Sequence, residues 1–207
     1  MAQQTLSTLT IKRLAGDAKL MKKDPILQID VYPDETNQLI WYFCIAGEPN
    51  SKYEGGYFIG RIRHNPEYPL KAPEVQMLTP SGKFHINNPI CLTNTAYHPE
   101  AWSSSWTIHA FLLGFISFWD DDKSTGIGHL NENASSCKRY AADSIAYNLK
   151  HHKDVYSKFQ RFVETDDDGQ YLTTKPYHII EAELNSENER KAKKKADKAA
   201  SKANADD

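Results

Sequence analysis

The chain has 207 residues, 40% hydrophobic and 25% charged, with a formal net charge of −2. That length supports one well-buried core of about 150 residues plus extensions, and the near-neutral balance argues against a nucleic-acid binder, which carries a strong basic excess. Three cysteines, Cys44, Cys91 and Cys137, at irregular spacing form neither a disulfide framework nor a paired zinc motif and suit a reducing compartment. The N-terminus lacks the continuous apolar stretch of a signal peptide. The longest apolar run, "IHAFLLGFISFW" at 108–119, falls short of the roughly 20 residues a bilayer span needs. The sequence reads as soluble and cytoplasmic, with no membrane span.

Residues 6–22 place Leu6, Leu9, Leu14 and Met21 among lysines and arginines at helical spacing, and Asp24-Pro25 stops the pattern. Four short runs follow, "ILQIDVY", "LIWYFCIA", "YFIGRIR" and "EVQML", separated by "PDETN", "GEPNSKYEGG" and "NPEYPLKAP". β-Branched and aromatic runs between turn formers predict a four-stranded antiparallel meander, with Cys44 as a core residue of its second strand.

From Thr79 to Ser105 periodicity vanishes. Structureless loops beyond about 12–15 residues are functional or disordered, and this one holds Phe84, Ile86, Ile90, Leu92, Tyr97, Trp102 and Trp106 in or beside it, too apolar for disorder. It is therefore read as a packed active-site or binding loop. Residues 107–119 predict a helix apolar nearly all round, hence buried, capped by Thr107 or Ser105. Further helices are predicted over 134–149 and 153–164, and Asp120 to Asp122 read as a solvated helix end. Beyond Asn185 no aromatic or large apolar residue remains, so that segment is a solvated helix or a mobile tail. The organisation is an α+β domain over 1–168 and a charged C-terminal tail over 169–207.

Cys91 in "NNPICLTNTAYHPEAW" is either a nucleophile in an irregular loop or a small apolar filler. A free thiol titrates at about 8.5, so a few per cent is thiolate at neutral pH without help. Cys137, beside Lys138 and Arg139, is read as incidental. His98 has two readings, a structural loop histidine or a general base, which an ordinary pKa of about 6.5 suits.

The order of elements, with "YEGG" at 53–56, Tyr68-Pro69 and Pro73, and "ICL" at 90–92, resembles the ubiquitin-conjugating enzymes over roughly residues 8–165. "TPSGKF", "YHPEAW" and "STG" resemble most the non-canonical, tail-anchored branch that serves endoplasmic-reticulum-associated degradation. The resemblance implies the ubiquitin-conjugating fold: N-terminal helix, meander, long active-site loop, central buried helix and C-terminal helices. It implies that Cys91 accepts ubiquitin as a thioester and passes it to a Lys or Ser/Thr acceptor, with or without a ligase. The implied partners are ubiquitin, its activating enzyme, a ubiquitin ligase and a protein substrate, with no cofactor and no metal. The implied location is cytoplasmic, at the cytosolic face of the endoplasmic reticulum through a partner.

Three departures stand out. The family's His-Pro-Asn (Thr-Pro-Asn in this branch), whose Asn is associated with the oxyanion, is here Thr79-Pro80-Ser81, leaving Ser81, Asn87 or Asn88 as the donor. Two ligase-docking loops carry His64-Asn65 and Ser104 in place of an aromatic-Pro pair and a proline. The branch's membrane anchor is not in this sequence. Apart from these, the acidic residue usual after the central helix is hard to place: its position falls near Gly126, with Asp120 to Asp122 too early and His129 close by. Two rival readings are an inert domain that binds ubiquitin or a partner, and an α+β scaffold with no ubiquitin role.

Overall fold

The computed structural model describes residues 6–91, 100–119, 121, 123–166 and 172–203. Helix α1 (Thr8–Lys23) is followed by strands β1 (Ile29–Pro33), β2 (Ile40–Ala46), β3 (Tyr57–Arg63) and β4 (Glu74–Met77), paired antiparallel in chain order. Helices α2 (Ile108–Trp119), α3 (Ala134–His151) and α4 (Lys153–Tyr156) come next, then a hairpin of β5 (Val163–Thr165) and β6 (Leu172–Thr174), and the long helix α5 (Tyr177–Ala203).

Three of the helices start on local chemistry. Ser7 caps α1 by accepting the Thr10 N–H at 3.0 Å, and Asn133 caps α3 by accepting that of Ser136 at 2.9 Å. Thr107 caps α2 through the Ala110 N–H at 3.1 Å. Such side-chain oxygens replace partners that the first helical turn lacks.

Strand alternation sends residues to opposite faces of the sheet. Trp41, Phe43 and Ile45 of β2, with Phe58 and Ile62 of β3, join Ile108, Phe111, Leu112, Phe115 and Trp119 of α2 in the main core. Gly60 lies opposite Phe43, where a Cβ would come within 2.2 Å of its ring; the strand yields its own side chain so that the ring can lie across it. Helix α2 buries one face only, leaving Leu113 48% exposed.

The other sheet face carries Cys44, Ala46, Tyr57 and Ile59, packed with Tyr156, Phe159, Phe162, Val163 and Ile180. The predicted helix over 153–164 therefore stops at Tyr156. The cause is tertiary: the Arg161 N–H donates to Asp30 Oδ2 at 3.0 Å, and its guanidinium donates to the Ile26 and Ile29 carbonyls, bonds a continuous helix would forfeit. The helix-like spacing of Tyr156, Phe159 and Phe162 comes instead from residues that all plug one sheet face. The compositional boundary at 168 falls between β5 and β6, which pair with each other, and Ile180 of α5 is 2% exposed; residues from 172 to 180 thus belong to the packed body.

Helix α1 is tied to the segment leading into α2. The Arg13 guanidinium donates to the Ser104 and Trp106 carbonyls and pairs with Asp17, which also accepts from the buried Tyr68 hydroxyl. Trp102 Nε1 donates to the Pro69 carbonyl at 2.7 Å.

His64 is 2% exposed, with its ring edge-on to Trp41 and Tyr68. Burial drives its pKa down to about 4, against a partial opposing pull from the Leu39 carbonyl. A depressed folded value means that the neutral ring stabilises the fold above the ordinary histidine pKa of about 6.5, and that this is lost as pH falls towards 4. The loss should be on the order of 3 kcal/mol. Urea unfolding between those pH values should show it in the wild type, and His64→Phe should remove most of it.

Candidate active site

The residues around Cys91 are strung between the free edge of β4 and a segment after α2. On one side the Asn87 N–H donates to the Met77 carbonyl and the Ile90 N–H to the Val75 carbonyl, each at 2.8 Å. On the other, the Cys91 N–H donates to the Ile127 carbonyl at 2.9 Å and the His85 N–H to the Gly128 carbonyl at 2.8 Å. The Leu130 N–H donates to the Lys83 carbonyl at 2.9 Å and the Glu132 N–H to the Gly82 carbonyl at 2.7 Å. Ile90 is fully buried and anchors the run, while Cys91 is partly exposed.

The other two thiols are sealed. Cys44 and Cys137 are both 0% exposed, and burial pushes the Cys44 thiol well above its ordinary value, which makes it a poor nucleophile. Cys137 Sγ lies 3.6 Å from the Glu132 carbonyl inside the main core.

Lys83 holds the second flank in place. It is 0% exposed, and its ammonium donates to the Asp121 carbonyl and, at 2.9 Å, to Ser124 Oγ. The Ser124 hydroxyl in turn donates to the Asp121 carbonyl at 3.0 Å. Sequence reasoning passed over this lysine, because a lysine is ordinarily read as surface; its setting inside "SGKF", before a buried Phe84, was the available signal.

His129 stands on the same segment, its ring edge-on to Phe84 at 4.9 Å between centroids. Its Nδ1 lies 3.1 Å from the Ser124 carbonyl oxygen. A Cβ built on Gly126 would lie 3.6 Å from the Cys91 carbonyl oxygen, 3.7 Å from His129 Cδ2 and 3.9 Å from Cys91 Cβ. Gly126 is therefore the gap across which the imidazole and the cysteine face each other. Burial, then the Lys83 charge, lowers the His129 pKa; the Ser124 and Cys91 carbonyls and Asp121 pull the other way.

Ser81 is 0% exposed, and its Oγ accepts the Lys83 N–H at 3.2 Å. Asn87 and Asn88, the other candidate donors, are not sealed in this way, and Asn87 takes a left-handed φ of 59°, which asparagine tolerates. His98 lies outside the described residues. His64 turns its ring inward, so that loop offers no aromatic face to a partner. Trp106, near Ser104, is 39% exposed. Among the described residues there is no cluster of three or more His, Cys, Asp or Glu able to hold a metal, and no helix long and apolar enough to cross a membrane.

Residues 13–158, more than half of the chain, match the family model of the ubiquitin-conjugating enzymes. The chain belongs to that family. Relatives include ubiquitin-conjugating enzyme E2 6 of Schizosaccharomyces pombe, 33% identical over 153 residues that cover 74% of this chain and 67% of that protein. Ubiquitin-conjugating enzyme E2 J2 of Mus musculus is 35% identical over 143 residues, 69% of this chain and 55% of its own. The probable ubiquitin-conjugating enzyme E2 33 of Arabidopsis thaliana is 34% identical over 140 residues, 68% and 57%. Within the family the chain groups with this branch, and it spans between about half and two thirds of the length of the relatives it matches.

Removing the Lys83 ammonium should loosen the flank that faces Cys91. Lys83→Met takes the ammonium from the Asp121 carbonyl and the Ser124 hydroxyl, leaving that carbonyl to Ser124, and should raise amide exchange at Cys91 and Leu130. The His129 titration, relieved of a neighbouring cation, should move up. Lys83→Arg should retain part of both.

Proposed function

We propose that the protein is an active ubiquitin-conjugating enzyme that takes ubiquitin onto Cys91 as a thioester and passes it to a lysine or a Ser/Thr hydroxyl. The observation that carries this is the contrast among the three thiols: only Cys91 is partly exposed, on a main chain fastened from both flanks, while Cys44 and Cys137 are buried. In thioester formation the Cys91 thiolate attacks the thioester carbonyl of ubiquitin on the activating enzyme, and that enzyme's thiolate leaves. In discharge the acceptor nitrogen or oxygen attacks the same carbonyl, loses a proton, and the Cys91 thiolate is released. The partners in this reading are ubiquitin, its activating enzyme, a ligase and a protein substrate. Cysteines outside any disulfide suit a cytoplasmic setting, and the relatives' branch suits the cytosolic face of the endoplasmic reticulum through a partner.

Incubation with activating enzyme, ATP and ubiquitin tests the assignment. Cys91→Ala should abolish the thiol-sensitive adduct and Cys91→Ser should give a slower, reductant-resistant one, while Cys44→Ala and Cys137→Ala still charge. Normal charging of Cys91→Ala would remove the cysteine from the reaction, and a protein that never charges would be a binding module.

For discharge, we propose His98 as general base, with the oxyanion donor one of Ser81, Asn87 and Asn88. A neutral imidazole taking the acceptor's proton contributes typically about 10²–10⁴-fold. His98→Ala should therefore charge normally and transfer poorly, with the larger loss on hydroxyl acceptors. Ser81→Ala should slow discharge by up to roughly 10²–10³-fold, and Ser81→Asn should keep or raise the rate. Unchanged discharge by both Ser81 variants moves that role to Asn87, Asn88 or the backbone.

A further inference from the structure

Helix α5 changes character where it leaves the body. Its first turns are packed: Ile180 is buried, Leu184 is half-buried, and Glu187 lines a cleft with Lys22, Tyr32 and Arg161. From Glu187 to Lys198 every residue is exposed. Residues 181–189 hold four glutamates and no lysine or arginine, whereas residues 190–198 hold six cations and one carboxylate, Asp197. At 3.6 residues per turn, Arg190, Lys191, Lys194, Lys195 and Lys198 share an arc of about 140°. Ala192 and Ala196 lie on the opposite side, and Lys193 falls outside the arc. Helix electrostatics alone does not account for this strip. The pull of a C-terminus on cations is confined to about the last turn, and Arg190 stands several turns before the end at Ala203. Solvation would be served as well by alternating charges, as in the Glu187–Lys191 pair at 3.4 Å. Instead Arg190 and Lys194, Lys191 and Lys195, and Lys194 and Lys198 are like-charge neighbours at i,i+4, which oppose helix formation. An anionic surface laid along the strip offsets that repulsion.

We propose that residues 190–198 form a docking strip for a bilayer that exposes anionic lipid headgroups. The strip is straight and about 12 Å long at 1.5 Å per residue, so its charges meet a plane together. Lysine is a hydrated point charge without a fixed fork, suited to a field rather than to one acceptor geometry. Clusters of about 4–8 Lys/Arg on a helix recognise anionic leaflets in this way. Nucleic-acid bases, by contrast, are taken on aromatic or guanidinium planes, and residues 188–198 contain no aromatic and a single arginine. The side opposite the strip carries alanines rather than large apolar residues. The helix therefore lies on the headgroups without inserting, and its attraction reaches only about a Debye length, roughly 8 Å at physiological salt. The strip begins where the packed part of α5 ends, so docking holds the body beside the bilayer. Docking of this kind does not depend on the reaction at Cys91.

Co-sedimentation of the full chain with vesicles of phosphatidylcholine, with and without phosphatidylserine, tests this. At roughly 0.1 M salt the protein should bind only the vesicles that contain phosphatidylserine, and at about 1 M, where the Debye length is near 3 Å, it should be released. Each cation at the surface is worth about fivefold in binding. Lys194→Gln with Lys195→Gln should therefore weaken binding roughly 10–30-fold, and Lys193→Gln, outside the arc, by less than about threefold. A rearranged variant, Lys191→Ala, Ala192→Lys, Lys195→Ala and Ala196→Lys, keeps the charge and spreads it round the helix. It should bind roughly tenfold more weakly while circular dichroism shows unchanged helicity. Three results overturn the strip: no binding to the phosphatidylserine vesicles, equal binding to vesicles without it, or equal binding by wild type and the rearranged variant. Displacement from the vesicles by duplex DNA at equal phosphate concentration also overturns it, and gives the cations to nucleic acid instead.

Discussion

A buried ammonium organises the surroundings of Cys91. An uncompensated charge in an apolar interior is costly, so the Lys83 side chain dictates where its acceptors must lie. It draws the Asp121 carbonyl and the Ser124 hydroxyl onto itself, and its own carbonyl receives the Leu130 and Asn131 N–H groups. The segment after α2 cannot move away without taking two acceptors from that cation. Because that segment supplies the carbonyl that holds the Cys91 N–H and the imidazole that faces its C=O, the placement of the thiol follows from a lysine eight positions earlier in the chain.

The sheet supports this from beneath. Its main-core face fixes Met77 and Val75, whose carbonyls receive Asn87 and Ile90. Polar bonds then dock α3 onto β3: Ser144 Oγ accepts the Tyr57 N–H, and Asn148 joins the Tyr57 carbonyl to Thr79. Thr79 also accepts the Ile59 N–H, which starts the turn through Ser81 to Lys83. Ser81 departs from the residue usual at its place and is sealed into this turn, where its hydroxyl supports the backbone of the organising lysine.

Much of this was legible in the sequence. Alternation in "LIWYFCIA" and "YFIGRIR" pointed to strands with two packed faces, and the Asp24-Pro25 stop marked the end of α1. Cys91 stood out because it interrupts a long apolar loop with no period of its own. What could not be read were features set by groups far apart in the chain. The helix expected over 153–164 was ended by Arg161 reaching back to Asp30 and Ile26, and burial pushes that Asp30 carboxyl above the usual range despite the nearby guanidinium. The lysine at 83 carried no pattern marking it as buried, and "STGIGHL" has no periodicity to say that its histidine returns to the cysteine. The tail was judged by its composition beyond 185, which described the outer part of α5 and missed the few apolar residues, Leu172, Tyr177 and Ile180, that pack before it.

Those few residues bear on a matter of chemical selectivity. Cys44 is on the second face of the sheet, beneath Tyr156, Phe159, Phe162 and Ile180, and the C-terminal hairpin and the first turn of α5 are part of its lid. While they are in place Cys91 is the one cysteine of the three that is partly exposed. A chain cut between β5 and β6 would keep every residue of the loop around Cys91, yet it would thin the cover over a second thiol and bare an apolar sheet face. The difference between one accessible cysteine and its buried neighbours is thus shared by a segment remote from Cys91 in the chain.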